Sequence, residues 1–256
     1  MTNKTAKEKK ETIVAMIAGT KADAVIAIVE KISLKQRNQV TEITLDMAAN
    51  MGLIAKKCFP NATRVTDRFH VQKLALEALQ EIRIKYRWQA IDLENEAIEK
   101  ARTSKKKYNP VILTNDDTIK QLLARSRYFL YKNKLKWSKN QTERAKILFE
   151  LYPDIEKAYD LAQDLRNIFE KTTDKIIGLS RLARWHEKVN QSGFKSFNTI
   201  SRSIINHYQT ILNYFDNIST NASAESFNAK IKAFRSQFKG VRNVEFFLFR
   251  LTTIYA

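Results

Sequence analysis

Residues 39–70 read QVTEITLDMAANMGLIAKKCFPNATRVTDRFH, and the order of elements in this stretch decides the fold. QVTEITLD (39–46) alternates apolar and polar side chains, the period of a strand, and ends at Asp46. MAANMGLIAKKCF (47–59) reads as a helix stopped by Pro60. NATRVTD (61–67) reads as a second short strand, ending at Asp67. Upstream, TIVAMIAG (12–19) predicts a strand closed by Gly19. KADAVIAIVEKI (21–32) gathers Ala24, Val25, Ile28, Val29 and Ile32 on one helical face. Strand, helix, strand, helix, strand is the order of an α/β unit with parallel neighbours.

Beyond His70 the pattern changes. As far as about Tyr214 no strand periodicity occurs, and helical runs are expected over 71–101, 115–132, 140–171, 172–193 and 194–216. The second of these has an Asn/Asp cap ahead of it, and Pro153 should kink the third. The aromatics of this region, among them Trp88, Tyr128, Phe129, Tyr131, Trp137, Phe149, Tyr159 and Trp185, fall at helical spacing and read as core rather than as platforms for stacked bases. The organisation expected is an α/β start over 1–70, a helical insertion over 71–216, and a return segment over 217–256.

Composition narrows the function classes. The chain has 256 residues and only 5 Gly and 3 Pro, so turns are scarce and long helices are expected. No apolar run is long enough to span a membrane, and the charged N-terminus has no apolar stretch behind it to form a secretory signal. The lone Cys58 supports neither a disulfide framework nor a CxxC metal site, and reads as a small buried hydrophobe in a protein of a reducing cytoplasm. The net charge of +18, spread along the whole chain, points to a polyanionic partner, nucleic acid before a membrane surface.

Three carboxylates stand out. Ligands gather at the carboxyl ends of parallel strands, and Asp46 and Asp67 both sit there, although an Asp in that position can simply cap a turn or helix. Glu225 heads TNASAESFNAKIKAFR (220–235), where it is followed by Lys230, Lys232 and Arg235. On a helix, Glu225, Asn228, Lys232 and Arg235 form one polar stripe. Phe227, Ile231, Phe234 and Phe238 form an apolar one, which should be buried. Two carboxylates about 4 Å apart repel by roughly 4 kcal/mol at an effective dielectric near 20, so a carboxylate cluster calls for a cation, and its oxygens suit Mg²⁺ or Mn²⁺. A metal so held, with basic residues to grip phosphates, outlines a nuclease or strand-transfer site.

The segments VTEITLDMAANM, FPNATRVTDRFHVQK and STNASAESFNAKIKAFRSQFKGVRNVEFFLFRL resemble a bacterial insertion-sequence transposase of the DDE superfamily, of the type whose RNase H-like core is interrupted by an all-helical insertion. The likeness covers essentially the whole chain. Its most specific parts are Asp67-Arg-Phe-His70, the Glu-x-x-Asn-x-Lys-x-Lys of 225–232, and Gly240. The resemblance implies an α/β core with a large all-α insertion, predominantly helical overall. It implies DNA strand cleavage and transfer with Mg²⁺ or Mn²⁺, action on double-stranded DNA at transposon ends and target, self-association, and a place in the bacterial cytoplasm at the nucleoid. It assigns Asp46 as the second of three metal-binding acids and Glu225 as the third. Asp67 and His70 match an auxiliary Asp-x-x-His element, with Asp67 an alternative second acid. Asn228, Lys230, Lys232 and Arg235 would contact DNA.

The family's first acid lies upstream, on a strand ahead of a hairpin. No aspartate precedes Asp23, which falls in a helix. The resemblance thus implies an N-terminally truncated copy, with a partial core lacking its first strand, and inactive alone. The competing reading is a non-catalytic, basic, helical DNA-binding protein derived from a transposase.

Overall fold

The computed structural model describes residues 1–3, 14–15, 17, 19–218, 220, 222–237 and 243–255. It is predominantly helical with one two-stranded sheet. The chain divides into two compact units, residues 1–70 with 209–256, and residues 71–208.

The first unit opens with α1 (Ala22–Val29), α2 (Leu34–Arg37), β1 (Glu42–Leu45), α3 (Ala49–Cys58), β2 (Thr63–Thr66) and the start of α4 (Arg68–Thr103). Of the strand expected over 12–19, residues 12, 13, 16 and 18 lie outside the described residues, and residues 14, 15, 17 and 19 are not in a strand. β1 and β2 pair in parallel, with Glu42 opposite Thr63 and Leu45 opposite Thr66. This is the geometry that a strand–helix–strand crossover produces. Val25, Ile26, Val29, Ile54, Cys58 and Phe59 form the core of the unit, with Val40 and Ile43 packed against it. The buried face of α1 is therefore Ala22, Val25, Ile26 and Val29, one turn's spacing repeated. Ala24 and Ile28, expected inside, are exposed, Ile28 by 39%, because the face of α1 that packs on α3 is the one carrying Ile26. Cys58 is fully buried, and burial pushes its thiol pKa up. Arg37 ties α2 to the end of α3, its Nη1 donating to the Cys58 carbonyl at 2.7 Å.

The second unit holds the body of α4, then α5 (Ile119–Leu130), a 3₁₀ turn (Lys134–Lys136), α6 (Lys139–Leu151), α7 (Pro153–Glu170), α8 (Lys175–Ser192) and α9 (Lys195–Asn206). From α5 to α9 each helix packs on the next in chain order. Leu122, Phe129, Leu148, Ile155, Tyr159, Leu165, Trp185 and Phe197 are buried between them.

Several local expectations change here. Pro153 does not kink one helix; it starts a new one as the first residue of α7, after Tyr152 leaves helical backbone. The cap of α5 is Thr118, in a reciprocal box with Gln121, and not the Asn/Asp pair before it. α8 ends at Gly193, whose φ of +73° favours a residue without Cβ. Trp137, Phe149 and Tyr159 pack together as core aromatics, but Trp88 and Tyr128 are 61% and 69% exposed. Helical spacing does not distinguish the two sides of a helix that is covered on only one of them.

The chain re-enters the first unit at Gln209. In place of one helix over 194–216, α9 is followed by two short helices, α10 (Tyr208–Leu212) and α11 (Tyr214–Asn217). His207 and Asn213 separate them. The Asn213 side chain donates to the Arg64 carbonyl of β2 at 3.0 Å, and Thr210 shares a 2.8 Å hydroxyl bond with Thr66. Last come α12 (Ala222–Gln237) and α13 (Val244–Tyr255), joined by Phe234 against Phe247 at 5.4 Å between ring centres.

Two polar contacts in the second unit give predictions. Asp117 is fully buried between Arg125 and Arg144, the latter at 2.8 Å. Replacing it by Ala leaves two guanidinium groups without their anion. Asp117→Ala is expected to lose about 3 kcal/mol in urea unfolding, at the low end for a broken buried pair because both arginines reach solvent. The Tyr86 hydroxyl donates to Asp154 at 2.7 Å, and that bond, with burial, pushes its pKa up to about 12. A phenol raised above its unfolded value of about 10 adds stability that is whole below that pH and is lost as pH climbs through about 12. The stability gap between wild type and Tyr86→Phe should therefore be constant up to about pH 10 and close by about pH 12.

Candidate functional site

The parallel register carries Asp46 and Asp67 to the same edge of the sheet. Leu45 and Thr66 are partners, and the Asp67 N–H continues the ladder by donating to the Leu45 carbonyl at 3.0 Å. The two aspartates thus leave neighbouring strands side by side, with backbones roughly 5 Å apart.

Their surroundings differ. Asp46 is half-buried and separated from α3 by Met47 and Ala48. Its Oδ1 accepts the Ala48 N–H at 3.0 Å, a tight Asx turn. Asp67 is fully buried and directly precedes α4. Its Oδ1 accepts the Phe69 N–H at 3.1 Å and its carbonyl accepts the His70 N–H at 3.1 Å, so it acts as the cap of that helix. Its Oδ2 is buried and has no hydrogen-bond partner among the described residues. An uncompensated carboxylate oxygen in that position is costly and suits a cation. The adjacent Arg68 does not fill the role by charge pairing, for its guanidinium lies over the Phe69 ring at 4.9 Å and the Tyr214 ring at 5.7 Å. His70 is half-buried in the first turn of α4.

Glu225 falls in α12, but its carboxylate lies outside the described residues, as do Phe227 (by its side chain), Phe238 and Gly240. Among the described residues no set of three or more His, Cys, Asp or Glu side chains converges as a metal site. The described part is a pair, Asp46 beside Asp67. Asn228, Lys230, Lys232 and Arg235 are all exposed, while Phe234 is buried and Ile231 half-buried. Asn228, Lys232 and Arg235 follow one line along α12, whereas Lys230, about 200° round from Asn228, lies on the other side. A single phosphate strand along the first line would miss it.

The residues that sequence reasoning missed are Thr210 and Asn213, which lie ahead of the expected return segment and fasten the re-entering chain to β2 just before Asp67. Nothing in their local pattern signals a partner in residues 64–66.

The cap and the open oxygen of Asp67 can be separated by substitution. Asp67→Asn keeps a cap acceptor and should unfold in urea within about 1 kcal/mol of wild type, while Asp67→Ala should lose about 1–2 kcal/mol. Asp46→Ala, at a half-exposed turn, should lose less than Asp67→Ala.

The transposase family model DDE_Tnp_ISL3 matches residues 1–251. No curated protein and no solved structure matches the chain.

Proposed function

Since the chain belongs to the DDE_Tnp_ISL3 transposase family, we propose that it serves metal-dependent cleavage and transfer of DNA strands in insertion-sequence transposition. In this reading residues 1–70 and 217–256 form an RNase H-like core and 71–216 its helical insertion. The observation that carries the reading is the paired edge of Asp46 and Asp67, reached by parallel strands and holding a buried carboxylate oxygen without a partner among the described residues.

Asp46 and Glu225 hold the metal, with Asp67 the alternative to Asp46 as the second acid. Mg²⁺ or Mn²⁺, when bound there, activates the attacking oxygen and steadies the leaving one. The chain's own part is to fix the acids and to grip the substrate. The α4 cap orients the Asp67 carboxylate. His70 stands in the same turn, where it can hold a proton or a substrate oxygen. Asn228, Lys232 and Arg235 run along α12 as phosphate holders for double-stranded DNA, and Lys230 serves a second strand or a neighbouring molecule. Self-association on paired DNA ends accompanies this activity in the reading. No helix among the described residues is long and apolar enough to cross a membrane.

The test is excision and transfer of a marked element by the chain joined to an upstream segment that supplies the family's first acid, with duplex binding measured alongside. Asp46→Asn and Glu225→Gln should each lower transfer by about 100-fold or more, consistent with loss of a metal ligand, and leave duplex affinity within a few-fold. If Asp67→Asn abolishes transfer while Asp46→Asn does not, Asp67 is the second acid. If all three carboxylate variants transfer as wild type does, the catalytic reading fails and a binding protein remains.

A further inference from the structure

The second unit carries a cleft of about 310 Å³ between α7 and α8 that the core chemistry does not use. Each helix lends it residues at the spacing i, i+3, i+4, i+7, so one face of each helix forms a wall. The floor is apolar: Ile168 and Trp185 are 7% and 2% exposed. The rim is basic, with Lys171, Arg181, Arg184 and Lys188 against a single acid, Asp164.

That acid is already engaged, 2.7 Å from Lys188. Among the described residues no carboxylate pairs with Lys171, Arg181 or Arg184. The Nη1 of Arg181 donates to the Lys171 carbonyl and to Thr172 Oγ1, at 2.9 and 2.8 Å, which fixes the guanidinium at the end of α7 and keeps its other donors for a ligand. Lys171, Arg181 and Arg184 beside the Lys188–Asp164 pair, on two packed helices, form a concentrated positive field.

We propose that this cleft binds the phosphate backbone of duplex DNA, giving the helical unit a DNA contact of its own. The proposal rests on the reading that the protein acts on double-stranded DNA. From Arg181 to Lys188 is seven residues, roughly 10 Å along the helix, the axial rise of about three base pairs and enough to reach neighbouring phosphates of one strand. Base readout is not its purpose. Trp185, the one aromatic of the cleft, is buried and donates its indole N–H to the Leu161 carbonyl at 2.8 Å, so it cannot stack on a base. The contact is therefore indifferent to sequence and sensitive to salt.

The test uses Lys171→Gln with Arg184→Gln, neither side chain having a described bond, in the full chain with a 30-base-pair duplex of arbitrary sequence. Loss of two phosphate contacts should make the slope of log affinity against log salt shallower by about 1.8, worth roughly 60-fold in affinity at 0.1 M salt if the two proteins converge at 1 M. Lys105→Gln with Lys106→Gln, on the loop after α4, is the charge-matched control and should leave the slope as in wild type. Unchanged thermal unfolding of both double variants shows that the fold is intact. An unchanged slope for the cleft variant, or an equal change in the control, overturns the proposal and leaves the proposed activity standing. Absence of any duplex binding by the wild type overturns that activity as well, and a cleft that instead takes up a polyglutamate peptide in preference to DNA overturns the duplex assignment.

Discussion

The parallel register of β1 on β2 is the constraint on which the candidate site depends. Side chains alternate across a strand, so a slip of one residue would carry Val65 out of the core and move Asp67 away from Asp46. Two strands of four residues hold little by themselves. The register is kept by what surrounds it: Ile43 sits against the α1–α3 core, the Asp67 N–H extends the ladder, and Asn213 and Thr210 fasten β2 from the far end of the chain. The carboxylate edge is a by-product of that packing, which makes its geometry as firm as the fold.

Much of this was legible in residues 39–70. Alternation, Pro60 and two terminal aspartates predict strand, helix, strand and a shared edge, and β1, α3 and β2 lie within those limits. The difference between the two aspartates was not legible. Both read as an Asp after a strand, yet Asp67 is swallowed because α4 begins at the very next residue, whereas Met47 and Ala48 keep Asp46 near solvent. Glu225 is singled out in the sequence by its surroundings, a lone acid leading a basic helix, and its carboxylate lies outside the described residues. In the second unit, periodicity gave the helices but not their ends. Thr118 outcompetes its acidic neighbours as a cap because Asp117 is taken inward by Arg125 and Arg144, a tertiary demand that no local pattern states.

The two units solve different physical problems. The first brings acids together, and its polar groups are placed by backbone bonds at strand and helix ends. The second spends its polar groups on its own cohesion: Asp117 under two arginines, Trp185 and Tyr159 donating to carbonyls, and Arg166 donating to the Tyr131 carbonyl. What it leaves over is positive charge at its surface. An excess of +18 over the whole chain resists compaction, and an extended anionic partner offsets that repulsion along its length.

The bond between Thr66 and Thr210 spans 144 residues of sequence. Closing so long a loop from an unfolded chain is entropically slow, whereas from α5 to α9 each helix packs on its immediate successor, contacts of short sequence separation that form early. On a ribosome, residues 71–208 can be complete before Gln209 has emerged, and their collapse shortens the path that the return segment must search. The carboxylate edge would then be the last part of the protein to mature: a chain interrupted after the helical unit would be compact and basic, yet without the clamp that seats Asp67.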